Sequence, residues 1–117
     1  MTEANTSDLL SLAKLTSDIF TPHLESTFIF NVGNTRLPVT LVNCRENPEG
    51  AGPDSNRTPF SLLFHTSADQ NNPILEAKDF TASVHGLEQG AIDLVSVQRV
   101  LRPASHPAGA YFQIIFG

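Results

Sequence analysis

Arg57-Thr58-Pro59-Phe60-Ser61-Leu62-Leu63-Phe64-His65 decides the fold class of this chain. A proline opens a run in which Phe60, Leu62 and Phe64 share one face, while Ser61, Leu63 and His65 share the other. Successive side chains of an extended strand point to opposite sides, so a period of two with one apolar face is the signature of a half-buried strand. The preceding stretch, Glu46 to Arg57, is dense in Pro, Gly, Asn and Glu and predicts a mobile surface loop. A short strand entered straight from such a loop belongs to a mostly-β domain.

The same period recurs on both sides. Phe28, Phe30 and Val32 alternate with Thr27, Ile29 and Asn31, and Gly33-Asn34 supplies a tight turn. Leu37, Val39, Leu41 and Asn43 then alternate with Pro38, Thr40, Val42 and Cys44. These two strands predict a hairpin, with Pro38 at an edge or a bulge because it cannot donate to a ladder. Downstream, a polar turn over Ser67 to Pro73 precedes a strand from Lys78 to His85, with Phe80, Ala82 and Val84 on one face. Gly86 to Gly90 reads as a turn, Ala91 to Leu101 as a strongly apolar strand, and Arg102 to Gly109 as a loop. Ala110 to Phe116 is the last strand, with Phe112, Ile114 and Phe116 in register.

Upstream, residues 1–15 read as a polar tail with a helical turn near Asp8 to Leu15. Thr16-Ser17-Asp18 is a helix-start signal, so Thr16 to Glu25 predicts a short helix that buries Ile19, Phe20 and Leu24. Pro22 must lie near its start or break it. No long helix separates any two strands, which excludes parallel crossovers. The expected fold is mainly β: about six antiparallel strands as a small barrel or sandwich, preceded by a short N-terminal helical segment that plugs one open end. Residues 16–117 would form a single small barrel-like domain. Phe28, Phe30, Phe60, Leu62, Phe64, Phe80, Phe112 and Phe116 are its expected core. An unfilled interior would instead line a cavity for a small apolar ligand or lipid; the filled core is preferred.

Composition narrows function by exclusion. Eight Phe and one Tyr stand against no Trp, and only 16% of residues are charged. With a net charge of −5 and scattered basic residues, nucleic acid is not an expected partner, because phosphate neutralisation needs clustered Lys and Arg. Cys44 is the only cysteine, so no intrachain disulfide can form, and a small buried hydrophobe is its expected state. The N-terminus has no basic, apolar leader, and no window reaches the roughly 18 apolar residues of a membrane span. A cytoplasmic location is expected, or export within an assembled particle without a classical signal.

Catalytic constellations are thin. Gly50-Ala51-Gly52 lacks the Lys-Ser/Thr of a phosphate loop, and neither paired Cys nor His-x-x-x-His occurs. His65 and His85 share parity with Ser61 and Ser83 and would bind a metal with Asp93 or Glu88 if their strands met; two solvated histidines are the preferred reading. A Ser61–His65–Asp79 triad has no visible oxyanion site. The expectation is therefore a non-enzyme with no catalytic residue, metal or cofactor, and no small-molecule ligand. A protein partner or self-association is expected instead, through unpaired strand edges or a surface carrying Arg99, Arg102 and Tyr111.

Three segments also carry a resemblance. They are Thr16-Ser17-Asp18-Ile19-Phe20-Thr21-Pro22-His23-Leu24 followed by Thr27-Phe28, the Pro-Phe-Ser-Leu-Leu-Phe strand at Pro59 to Phe64, and the closing strand from Tyr111 to Phe116. Together they resemble a small bacterial β-domain family of unknown function, over roughly Leu15 to Gly117. The chain departs from that pattern at Lys78-Asp79-Phe80, where the family has Gly-Thr-Tyr, and in ending on Gly117 where the family has Asn. The resemblance implies association with phage-tail-like fibre proteins. It thus implies a structural or accessory role, and it brings no catalytic residues.

Overall fold

The computed structural model describes residues 15–50 and 58–117. The helical turn expected near residues 8–14 and the loop residues 51–57 lie outside the described residues. Six strands follow one another: β1 Thr27–Val32, β2 Thr35–Glu46, β3 Phe60–Thr66, β4 Asp79–Leu87, β5 Gly90–Val100 and β6 Ala110–Phe116. Every neighbouring pair is antiparallel, and the sheet closes into a barrel in the order β1-β2-β3-β6-β5-β4. Two three-stranded meanders, β1-β2-β3 and β4-β5-β6, are joined along β3–β6 and β1–β4. The return of β4 beside β1 is a Greek-key arrangement.

The alternation sets what the closed sheet encloses. Phe28, Phe30, Leu37, Val39, Leu41, Phe60, Leu62, Phe64, Val97, Phe112 and Ile114 all point inward and are buried. The rings fill the interior: Phe30 lies 5.1 Å from Phe64, 5.7 Å from Phe112 and 6.1 Å from Phe80, centroid to centroid. Phe28 meets Phe64 at 5.5 Å, and Phe60 stacks on Phe116 at 4.7 Å. Offset and edge-on contacts at these separations are the favourable aromatic geometries. Phe80 is only half-buried, at the rim.

Closure also overturns one expectation. Every described strand has two neighbours, so among the described residues there is no edge strand to invite strand addition, and β6 pairs with β3 from Phe60–Phe116 to Thr66–Ala110. Pro38 keeps its edge-like position locally, because the β2–β3 ladder starts at Thr40. That flank of β2 is covered by side chains: Thr66 Oγ1 donates to the Pro38 carbonyl (2.9 Å) and Asn72 Nδ2 to the Arg36 carbonyl (2.9 Å).

Both ends of the barrel are plugged. At one end, helix α1 (Ser17–Phe20) runs into a 3-10 turn at Thr21–His23. Phe20 is fully buried 5.8 Å from Phe60 and 6.0 Å from Phe116, the plug expected from the sequence. The helix is shorter than expected: Pro22 falls in the 3-10 turn, and the chain leaves helical geometry at Leu24, which is 41% exposed rather than inward. The Thr16 hydroxyl donates to the Asp18 carboxylate instead of capping a backbone N–H. At the other end, a 3-10 turn at Pro73–Glu76 buries Ile74 and is capped by Asn72, which accepts from the Ile74 N–H at 3.0 Å.

Register shifts interrupt the described sheet at three places, one of them between Val84 and Leu87 on β4, and the other two re-aim side chains. On β2, Leu41 pairs with Phe64 and Asn43 with Leu63, so Val42 is an extra residue. The parity flips there: Asn43, expected on the face of Leu41, turns outward with Arg45, and Cys44 leaves the face of Val42 to turn inward opposite Leu62. On β5, Asp93 and Leu94 together oppose Ser83, and Leu94 sits at φ 55°. The Asp93 carboxylate holds this bulge by accepting from Ser83 Oγ and from the Leu94 N–H at 3.0 Å. Strand β4 runs through Gly86 to Leu87, so the turn expected from Gly86 is confined to Glu88 and Gln89.

Candidate interaction groove

The polar residues singled out from the sequence are dispersed by the barrel. His65 lies on β3 and His85 on β4, which are not neighbours in the sheet. His65 Nε2 is 3.0 Å from the Ala108 carbonyl, and Asp93 is held in its bulge, so no pair forms. Among the described residues, no group of three His, Cys, Asp or Glu is placed to hold a metal ion. Ser61 and His65 stand four residues apart along β3, roughly 13 Å at strand rise, and Asp79 belongs to a strand that is not beside them. The triad is not assembled.

Cys44 packs against the core, with Sγ 3.7 Å from the Ser17 carbonyl. Ser17 Oγ donates to Glu46 at 2.5 Å, so this small cluster ties α1 to the end of β2. Burial, and then the nearby Glu46 carboxylate, push the thiol pKa up. The folded state therefore holds the thiol proton more tightly. Its contribution to stability is complete below the ordinary thiol range and is lost as pH rises from that range through the raised folded-state value. Because the thiolate is the nucleophile, Cys44 should react with an aromatic disulfide reagent at neutral pH far more slowly in the folded protein than in urea. Equal rates in the two states would contradict this placement.

The three residues expected to form an interaction surface divide. Arg99 points into the barrel mouth: its guanidinium lies over the Phe112 ring, 5.6 Å from the centroid, and donates to the Leu75 carbonyl of the 3-10 plug. It braces an end of the barrel. Tyr111 is 1% exposed, because the β5–β6 loop folds over it. Its hydroxyl donates to the Pro107 carbonyl at 2.6 Å, and His65 and His106 pack on its ring at 4.9 and 5.8 Å. Arg102 is exposed.

Arg102 lines a groove of about 420 Å³ on the outer wall, together with Asn43, Arg45, Ser61, Leu63, Val100, Leu101, Pro103 and Gln113. Outward side chains of β2, β3 and β6 line it along with the segment that follows β5 as it leaves the sheet. Among the described residues that line it are two arginines and no carboxylate, on a chain of net charge −5. Leu101 in it is 91% exposed. Arg102 is positioned by donation to the His106 carbonyl at 3.2 Å. Among the described residues, no internal side-chain hydrogen bond occupies Asn43, Arg45, Ser61 or Gln113. A second concavity of about 350 Å³, beside His65, His106 and Tyr111, differs: those three side chains are already bonded to loop carbonyls.

The family model described as Domain of unknown function (DUF6916) matches residues 15–116. The chain belongs to this family. No curated protein and no solved structure matches it significantly. Leu15 and Phe116, at the two limits of the DUF6916 match, are both buried in the core. The membership agrees with the resemblance in its coarse form, a β-domain family of unknown function. Among the described residues of this DUF6916 domain, no helix is long and apolar enough to cross a membrane.

Sequence reading missed Asn43, Arg45 and Leu101. Strict alternation put Asn43 on the same face as Leu41, pointing inward, and the expected strand ended at Cys44. Polar residues at that parity are compatible with a slipped period, but the slip at Val42 is set only by the pairing of β2 with β3.

Proposed function

We propose that this DUF6916 domain is a non-enzymatic protein-interaction module that works within a larger assembly. The observation that carries the proposal is the outer-wall groove, where Arg45, Arg102 and the exposed Leu101 meet on an otherwise acidic chain. Small rigid barrels suit this role: a close-packed interior holds an outer wall in one shape, so docking costs little ordering entropy. The finer form of the proposal, an accessory of a phage-tail-like or fibre assembly, rests on the sequence resemblance alone.

The test is the mass of the protein at its native level. Light scattering after gentle extraction should place it in a particle well above the 12.7 kDa of one chain. Substituting Leu101→Asp should release it, because the variant changes only an exposed side chain. A native species at the mass of one chain would overturn the module reading.

A further inference from the structure

We infer that the groove beside Arg45 and Arg102 takes an extended, acidic peptide segment of a partner protein, an assignment that rests on the module reading above. Charge comes first. Arg45 and Arg102 line the same concavity, and none of the described residues lining it is a carboxylate. A guanidinium binds a carboxylate through paired, charge-assisted hydrogen bonds, so an Asp or Glu side chain is the fitting counterpart. The internal bond from Arg102 to the His106 carbonyl holds that cation in place before any ligand arrives.

The remaining lining argues for a peptide rather than a free anion. Asn43, Ser61 and Gln113 offer both donors and acceptors, which match the alternating N–H and C=O groups of an extended backbone. Leu101 offers an apolar contact for one side chain of the occupant, a contact inorganic phosphate would leave unused. A nucleic acid fits less well: tracking a phosphate backbone takes a stripe of cations, and the net charge of −5 opposes a polyanion at long range.

Selection from a displayed random-peptide library against the intact protein tests the inference without presuming a sequence. The enriched peptides should carry Asp or Glu together with an apolar residue. Synthesised and titrated by fluorescence anisotropy, they should bind more weakly as salt is raised. Arg45→Gln and Arg102→Gln should each weaken binding about ten-fold or more, the effect of losing a charge-assisted bond. Both variants change exposed side chains and should melt with the wild type. The inference is overturned by enrichment of peptides without acidic residues, by no enrichment, or by affinities that the double variant leaves unchanged. It also falls if inorganic phosphate displaces the peptides at matched ionic strength, or if a second copy of the chain proves to occupy the groove. Should it fall while the native protein still runs in a large particle, the module reading survives and the groove is not its docking site.

Discussion

Gly86→Ala is expected to cost about 3 kcal/mol of stability and to lower the melting temperature by more than about 10 °C. Gly86 sits in β4 at φ 150°, a backbone region that residues with a Cβ rarely adopt. A Cβ built there would lie 2.5 Å from Cδ2 and 2.8 Å from Cγ of Phe28. Those atoms belong to the root of a fully buried ring packed against Phe64, so they cannot step aside cheaply. Strain and overlap therefore add. Combined with Phe28→Ala, the overlap should vanish, and the double variant should lose less than the sum of the two single losses. A Gly86→Ala protein melting within about 2 °C of wild type would sink the account.

Phe30→Ala should cost about 3–5 kcal/mol, a large share of the roughly 5–15 kcal/mol that holds a small domain folded. Phe30 touches Phe64, Phe80 and Phe112, the most connected ring in the barrel's middle. Deleting it removes the apolar burial and opens a cavity that a closed sheet cannot collapse around. Ile115→Ala makes the control: Ile115 is 60% exposed on the outer wall, and its loss should stay within about 0.5 kcal/mol. The measurement is the urea midpoint at unchanged slope. A loss below about 1 kcal/mol for Phe30→Ala would mean a loosely filled interior, and would revive an apolar ligand as the occupant of the barrel.

Much of the fold was legible because it depends on local alternation. Phe28-x-Phe30, Phe60-x-Leu62-x-Phe64 and Phe112-x-Ile114-x-Phe116 each name an inward face without knowing which strand lies beside it. Phe20, following a helix-start signal and preceding the first strand, marked the plug in the same way. The groove was far less legible. Arg102 was found because it stands near another basic residue, but Arg99, its companion in sequence, turns the opposite way under the rule of alternation through β5. Tyr111 follows the outward parity expected of it and is buried all the same, because a loop of two prolines and a glycine folds across it.

The sequence by itself determined that this chain is a six-stranded antiparallel β-domain with a phenylalanine core and one helical plug, because burying a period-two apolar face is a requirement each segment carries alone. Tertiary structure alone decided that the sheet closes, that Val42 slips the register, and that Asn43 and Arg45 consequently face outward beside Arg102. Those outcomes depend on which strands meet and on where an extra residue is absorbed between them. The free energies that settle them are shared between segments far apart in the chain, so no single segment records the result.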